Sequence, residues 1–296
     1  MGFTVSRLTT AEREREREMR KQFRGVLIDL DGVLRIGSKA SRGAARALEK
    51  LRENDVEFRI VTNTTTETTS SIVQSLEDIG FSKGLLDSSS IFSAPAAANV
   101  ICEEDDVTLL SHPSIRSEFF SCNLVESDNR RRDRSHVLVV GDAMEGFDRK
   151  SLNKAFRVVL DAKSTYAKGS SVLALGGGKY YNEGGRLSLD AYPFAEMIAR
   201  AADVPIHVCG KPSKSTFEAA SKSMSMSLDD VVMIGDDWRV DALGSVEAGC
   251  SRSILVKTGK YIQGDDTRLL ESPNKAQDRS HVEADFAAAV EFILSS

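Results

Sequence analysis

Histidine and cysteine are scarce in this chain, four of each among 296 residues. Cys102, Cys122, Cys209 and Cys250 stand far apart with no C-x-x-C spacing, which argues against a zinc site and a disulfide framework and for a reducing compartment. The scattered histidines remove a histidine-based metal centre or a Ser-His-Asp triad as a leading idea. No run approaches the ~18 consecutive apolar residues of a membrane span. A net charge of −5 offers no cationic footprint for nucleic acid. What is present, 41% apolar and 28% charged residues, describes an ordinary globular chain long enough for one large domain or two modest ones.

The first segment is set apart by charge. Residues 11–21 alternate glutamate and arginine; on a helix the favourable i,i+3 pairs are largely cancelled by like charges at i,i+4. Residues 1–22 are therefore expected to form a solvated tail. Met1-Gly2-Phe3-Thr4-Val5-Ser6 matches the bare M-G-x-x-x-S acylation pattern, but the aromatic after the glycine is unfavourable there. No apolar h-region follows, and the glutamates argue against a transit peptide.

Gly25-Val26-Leu27-Ile28-Asp29-Leu30-Asp31-Gly32 reads as a buried strand that ends in two carboxylates and a turn. Residues two apart on a strand face the same way, so Asp29 and Asp31 are expected to share one site. Two carboxylates that close require a cation or a shared proton. An EF-hand loop is excluded, because Val33 occupies the third ligand position and Ala40 the twelfth, where a glutamate is needed.

Alternation of strand and helix signals continues from there. A helix is expected over residues 41–53, a strand over 58–61 running into Thr62-Asn63, and a helix through Ile72, Leu76 and Ile79 closed by Gly80. Residues 85–204 change in texture, with strand-like runs at 107–110, 137–140 and 172–175 and helices at 152–161 and 192–202. They make a second βα assembly large enough for its own core. Within it, the arginine-rich residues 126–135 read as a solvated loop. Gly176-Gly177-Gly178-Lys179 lacks both the earlier glycine and the Ser/Thr of a Walker A loop, so a turn is expected there.

Strands at 205–209 and 231–234 then lead into Gly210-Lys211-Pro212 and Gly235-Asp236-Asp237-Trp238-Arg239-Val240-Asp241. A final strand at 253–256 and a helix at 284–294 close the chain. Four apolar runs thus end in polar clusters: Asp29/Asp31, Thr62/Asn63, Lys211, and Asp236/Asp237/Asp241. In a parallel sheet such ends share one edge, where ligands bind. Hard oxygen donors suggest Mg²⁺. A phosphate reconciles that metal with Lys211 on another face and with Thr62 and Asn63 as neutral donors. One aspartate is then free to attack phosphorus, and a second to move protons.

Asp-Leu-Asp-Gly-Val-Leu, Thr-Asn, Gly-Lys-Pro and Gly-Asp-Asp-Trp-Arg-Val-Asp, in this order, resemble the four motifs of the haloacid dehalogenase (HAD) superfamily of phosphatases. The long insertion resembles the large cap of the subgroup that includes nitrophenyl-phosphatase-like enzymes. The resemblance, which runs from about residue 24 onward, implies an α/β fold. It would comprise a Rossmann-like parallel-sheet core (residues 23–84 and 205–296) and an inserted α/β cap (85–204) that closes over the site. It implies a cytoplasmic, Mg²⁺-dependent phosphatase acting on a small phosphorylated substrate through an aspartyl-phosphate. Asp29 would be the nucleophile and Asp31 the acid/base. Asp29, Asp31 (through its backbone carbonyl) and Asp236 would bind the metal. Thr62 and Asn63 would hold the phosphoryl group, Lys211 would neutralise it, and Asp241 and Asp237 would lie just outside the metal ligands, Asp241 tying the metal site to Lys211. A homodimer through the cap is left open.

Trp238-Arg239 departs from the Leu-Asp common in nitrophenyl-phosphatase relatives, which weakens any transfer of their substrates; Trp238 is expected to pack in the core or against the cap. The rival readings are a phosphotransferase using the same intermediate and a non-catalytic phospho-ligand binder. A phosphonatase would want a cap lysine such as Lys179.

Overall fold

The computed structural model of the chain describes residues 24–125, 133–183, 186–272 and 276–295. The alternating-charge segment, the acylation pattern and Arg130–Arg132 lie outside them. Fifteen strands are present among the described residues: β1 (Gly25–Ile28), the short pair β2 (Arg35–Ile36) and β3 (Lys39–Ala40), β4 (Glu57–Thr62), β5 (Ile91–Ser93), β6 (Asp106–Leu110), β7 (Asn123–Leu124), β8 (His136–Val140), β9 (Ser170–Leu175), the hairpin β10 (Tyr180–Glu183) and β11 (Arg186–Leu189), β12 (Ile206–Cys209), β13 (Val231–Gly235), β14 (Arg252–Val256) and β15 (Ser280–Glu283). They build two larger parallel sheets, ordered β15-β14-β13-β1-β4-β5 and β12-β9-β8-β6-β7.

The centre of the first sheet is buried from end to end. Every residue of β1 and β13 is buried, as expected for a parallel strand covered by helices on both faces. Register places Ile28 beside both Ile234 and Ile60. The residues that follow these strands, Asp29 and Asp236, therefore emerge at the same edge of the sheet within one register step of each other, with Thr62 at the end of the neighbouring β4. The Asp29 amide donates to the Ile234 carbonyl at 2.9 Å, extending the ladder by one residue into the site.

Helices cover both faces. Helix Ala44–Glu53 buries Ala44, Ala47, Leu48 and Leu51. It starts three residues later than its periodicity suggests because Gly43 sits at φ 72, a left-handed conformation that no helix propagates. Helix Thr69–Asp78 buries Ile72 and Leu76 and is capped by the Thr68 hydroxyl, which accepts from Ser71 N; Gly80 at φ 110 ends it. Helix Arg149–Thr165 on the second sheet begins where the Asp148 carboxylate accepts from Lys150 and Ser151 amides. One apolar cluster runs through both sheets, joining Leu27, Val61 and Met233 to Val107, Val137 and Leu173.

The sheets divide the chain differently from the expected boundaries. Residues 91–93, expected in the inserted unit, pair with β4 in the first sheet (Ile60 beside Ile91); a three-residue run is too short to announce its sheet. Residues 206–209, expected in the core, pair with β9 in the second sheet (Ile206 beside Val172, Cys209 beside Leu175). The mixed exposure of β12 is that of an edge strand, which local composition does not distinguish from a strand of the other sheet.

Candidate active site

Lys211 is the pivot of the site. It leaves the last strand of the second sheet, yet its ammonium reaches the mouth of the first, 2.5 Å from Asp29 Oδ1 and 2.8 Å from Asp241 Oδ1. Its side chain is 3% exposed. The backbone is held by Asn63, whose amide nitrogen donates to the Lys211 carbonyl (2.8 Å) and whose amide oxygen accepts the Lys211 N–H (2.7 Å). The Asn63 side chain thus fastens the peptide of Lys211 at the mouth of the site. Gly210 permits the clamp, since a Cβ there would stand 2.9 Å from Asn63 Oδ1.

Asp29, Asp236 and Asp241 form a buried trio, each offering a carboxylate oxygen within 4.8 Å of the others. Asp241 thus lies beside Asp29 and Asp236 as well as against Lys211. It is carried there by a π-helical turn, Trp238–Leu243, a rare wide turn often associated with functional positions. Asp236 Oδ2 accepts the Lys260 N–H at 2.7 Å, and it is crowded by Gly32 and Gly259, where a Cβ would fall 1.8 and 1.9 Å away. Thr258 donates its hydroxyl to the Gly32 carbonyl at 2.5 Å, closing the two loops together. Gly259 and the Lys260 amide were not singled out in the sequence as site positions; the short Thr258-Gly259-Lys260 turn after β14 was their only signal.

The electrostatics follow from burial. Burial pushes the Asp29 carboxyl above its ordinary value, with Lys211 opposing the shift. Asp236 and Asp241 are each pushed up to about 6 by burial. Burial alone would depress the Lys211 ammonium, but the carboxylates of Asp241 and Asp29 overcome it and hold the group above its ordinary value. Three carboxylates around one ammonium leave an excess of negative charge away from water. Asp236 Oδ1 is moreover buried without a hydrogen-bond partner. Both features suit a divalent cation bound by hard oxygen donors.

The remaining expected residues fall around this centre. The Thr62 hydroxyl is buried and within 3.0 Å of the Thr64 hydroxyl. Asp237 caps the π-helical turn by accepting from the Arg239 and Val240 amides. Asp31 is not brought into the trio: its carboxylate is 53% exposed and bonded to Arg35 Nε at 2.7 Å. β1 ends at Ile28 and the chain already turns at Leu30, which breaks the strict alternation that would have aligned Asp31 with Asp29. Trp238 packs against the cluster of Ala242, Leu255 and Leu269, with the Arg239 guanidinium 4.7 Å from its ring centroid. Lys179 is exposed at the start of the hairpin that follows the triple glycine.

The chain is similar to known proteins in sequence and in fold. Residues 26–125 match the haloacid dehalogenase-like hydrolase family model, and residues 208–287 match a HAD-hydrolase-like model. The chain is 33% identical over 254 residues to haloacid dehalogenase-like hydrolase domain-containing protein 2 of Bos taurus, covering 86% of this chain and 92% of that one. It belongs to the haloacid dehalogenase-like hydrolase family. Another relative in the family is phospholysine phosphohistidine inorganic pyrophosphate phosphatase of Danio rerio, 32% identical over 285 residues, covering 94% of this chain and 97% of that one. The HAD fold, a core sheet with a second sheet beside it, is shared with p-nitrophenyl phosphatase from Archaeoglobus fulgidus at a TM-score of 0.74 and 19% identity, over 91% of this chain and 99% of that one. This HAD chain is accordingly an enzyme, a hydrolase with phosphatases among its relatives. No helix among its described residues is long and apolar enough to cross a membrane.

Proposed function

We propose that this HAD hydrolase is a Mg²⁺-dependent phosphatase that cleaves a small phosphorylated substrate through an aspartyl-phosphate on Asp29. One observation carries the reading: a buried lysine bonded to two carboxylates of a trio that converges from distant parts of the chain. A structural ion pair needs one carboxylate, and the surplus negative charge fits a site built to receive a cation and a phosphoryl group.

In this reading Asp29 attacks phosphorus while the alkoxide departs, and Lys211, beside the attacking oxygen, neutralises charge on the phosphoryl oxygens. The Thr62 hydroxyl is a further donor to those oxygens. Asp31 donates a proton to the leaving oxygen as the ester bond breaks, then takes one from the water that hydrolyses the Asp29 ester. Mg²⁺, held by Asp29 and Asp236 with the Asp31 carbonyl, supplies Lewis-acid charge neutralisation when bound. Asp241 keeps Lys211 oriented toward Asp29. The second sheet acts as the cap that limits water around the site, and the four free thiols fit a reducing, cytoplasmic setting.

The test is phosphate release from p-nitrophenyl phosphate. Turnover is expected with Mg²⁺, none after chelation, and none in Asp29→Asn. Loss of phosphate binding is not expected in that variant, so a wild type that binds phosphate but never turns over would favour a binding protein instead. Transfer of the phosphoryl group to an added alcohol with no free phosphate would favour a phosphotransferase.

A further inference from the structure

Asp31, assigned above to proton transfer, is the exposed member of the site, and an exposed carboxylate on a turn has no fixed orientation of its own. Arg35 supplies one. Its Nε donates to Asp31 Oδ1 at 2.7 Å. A surface arginine in an i,i+4 pair would hold nothing firmly, because it is itself mobile and solvated. Arg35 differs in two ways. Its side chain is only 13% exposed, and its other two nitrogens are occupied: Nη2 donates to Glu67 Oε1 at 2.9 Å and Nη1 to Ser75 Oγ at 3.1 Å. The planar guanidinium is fixed in three directions, and a rigid fork passes that fixing on to the carboxylate it holds.

The anchors matter as much as the contact. Glu67 lies in the loop that follows Thr62 and Asn63, and Ser75 lies on helix Thr69–Asp78. One side chain therefore ties the turn after β1 to the loop after β4, the two segments that carry Asp29 and Thr62. The backbone repeats the link within the turn, since the Gly32 amide donates to the Arg35 carbonyl at 2.7 Å.

We propose that Arg35 is a positioning residue for the proton-transfer group Asp31, with Glu67 and Ser75 as its anchors. The proposal rests on the reading of Asp31 as acid/base. With Oδ1 engaged by Arg35, Oδ2 is the oxygen that moves the proton. In the first step Oδ2–H gives its proton to the ester oxygen as the P–O bond breaks and the Asp29–P bond forms. In the second, the Oδ2 carboxylate takes a proton from water as the water oxygen bonds to phosphorus and Asp29 is released, leaving inorganic phosphate.

Leaving-group dependence separates this role from a merely structural one. p-Nitrophenolate leaves without a proton, whereas an alkoxide needs one. With full-length protein and Mg²⁺, single-turnover formation of the Asp29 ester is measured from p-nitrophenyl phosphate and from glycerol phosphate. Arg35→Ala should lower the glycerol phosphate rate at least about tenfold more than the aryl rate, a part of the ~10²–10⁴ that positioned proton transfer contributes. Arg35→Lys should recover part of the loss by re-pairing with Asp31. Glu67→Gln, which leaves the Arg35–Asp31 contact intact, should give a smaller rise in the aryl/alkyl ratio and serves if Arg35→Ala does not fold. Equal losses on both substrates, or none, in Arg35→Ala and Glu67→Gln would overturn the proposal while Asp31→Asn still raised the ratio. If Asp31→Asn leaves the ratio unchanged, the acid/base reading fails and this proposal falls with it.

Discussion

The two parallel sheets are built alike and finished differently. In the first, β1 and β13 are followed by Asp29 and Asp236 and β4 ends at Thr62; in the second, β6, β8, β9 and β12 are followed by Ser111, Gly141, Gly176 and Gly210. Buried polar groups in the second sheet cluster at the opposite ends of its strands. Asp106 accepts from the Tyr166 hydroxyl (2.8 Å) and the Asn123 amide (2.7 Å), and His136 lies 2.9 Å from the Ser170 hydroxyl and 3.0 Å from that of Thr108. That cluster is saturated by its neighbours. The first sheet's cluster carries surplus charge and an unpartnered Asp236 Oδ1. A polar network that satisfies itself stabilises a fold, whereas one left short of partners is prepared for something that arrives later.

The comparison breaks most sharply at Lys211. Lys211→Met strands Asp29 and Asp241 in the interior, so it should reduce turnover to background and cost about 3–5 kcal/mol in urea unfolding at neutral pH. A fully stable variant would show that the carboxylates are not truly buried as charges.

Mg²⁺ should act on the first cluster alone. At about 100-fold over its dissociation constant it should stabilise the fold by about 2.7 kcal/mol, and Asp236→Asn should lose most of that. Asp236 and Asp241 hold protons more tightly in the folded chain, up to about 6 against an ordinary 3.8. Without metal, the stability these groups contribute is therefore full below their ordinary value and lost as pH rises through about 6. Mg²⁺ favours the ionised carboxylates, so its thermal shift should be larger at pH 7 than at pH 5. Equal shifts at the two values would contradict the assignment.

Next in size, Asp106→Ala should cost about 1–3 kcal/mol by leaving the Tyr166 and Asn123 donors short of an acceptor, with kcat unchanged. A fall in kcat would mean the second cluster is coupled to the reaction. The smallest expected effect is at Gly176, which has φ 113 but open space around its Cβ position; Gly176→Ala should cost about 1–2 kcal/mol of backbone strain and no activity. Gly32 has a similar φ and a carboxylate 1.8 Å from the Cβ position, so Gly32→Ala should displace Asp236 and lower Mg²⁺ affinity as well.

Much of this was legible along the chain because strand ends are local events. An apolar run that stops at Asp29, at Thr62 or at Asp236 records both a buried strand and the residue at its mouth, and register then brings those mouths together. Arg35 was not legible: it reads as one more charge on a turn, and its three partners come from three segments. Nor was the clamp of the Asn63 side chain on the Lys211 peptide legible, because an amide beside a phosphate site and an amide that clamps a peptide look the same in one dimension.

The sequence by itself determined the alternation of strands and helices, the family, and the identities of the charged groups available to the site, since these depend on neighbours a few residues apart. Tertiary structure alone decided that Lys211 arrives from an edge strand of the second sheet, that Asp241 joins Asp29 and Asp236, and that Asp31 turns outward to Arg35. Those outcomes depend on which distant segments exclude water together, and the cost of burying charge is set by the assembled surroundings rather than by any one stretch of chain.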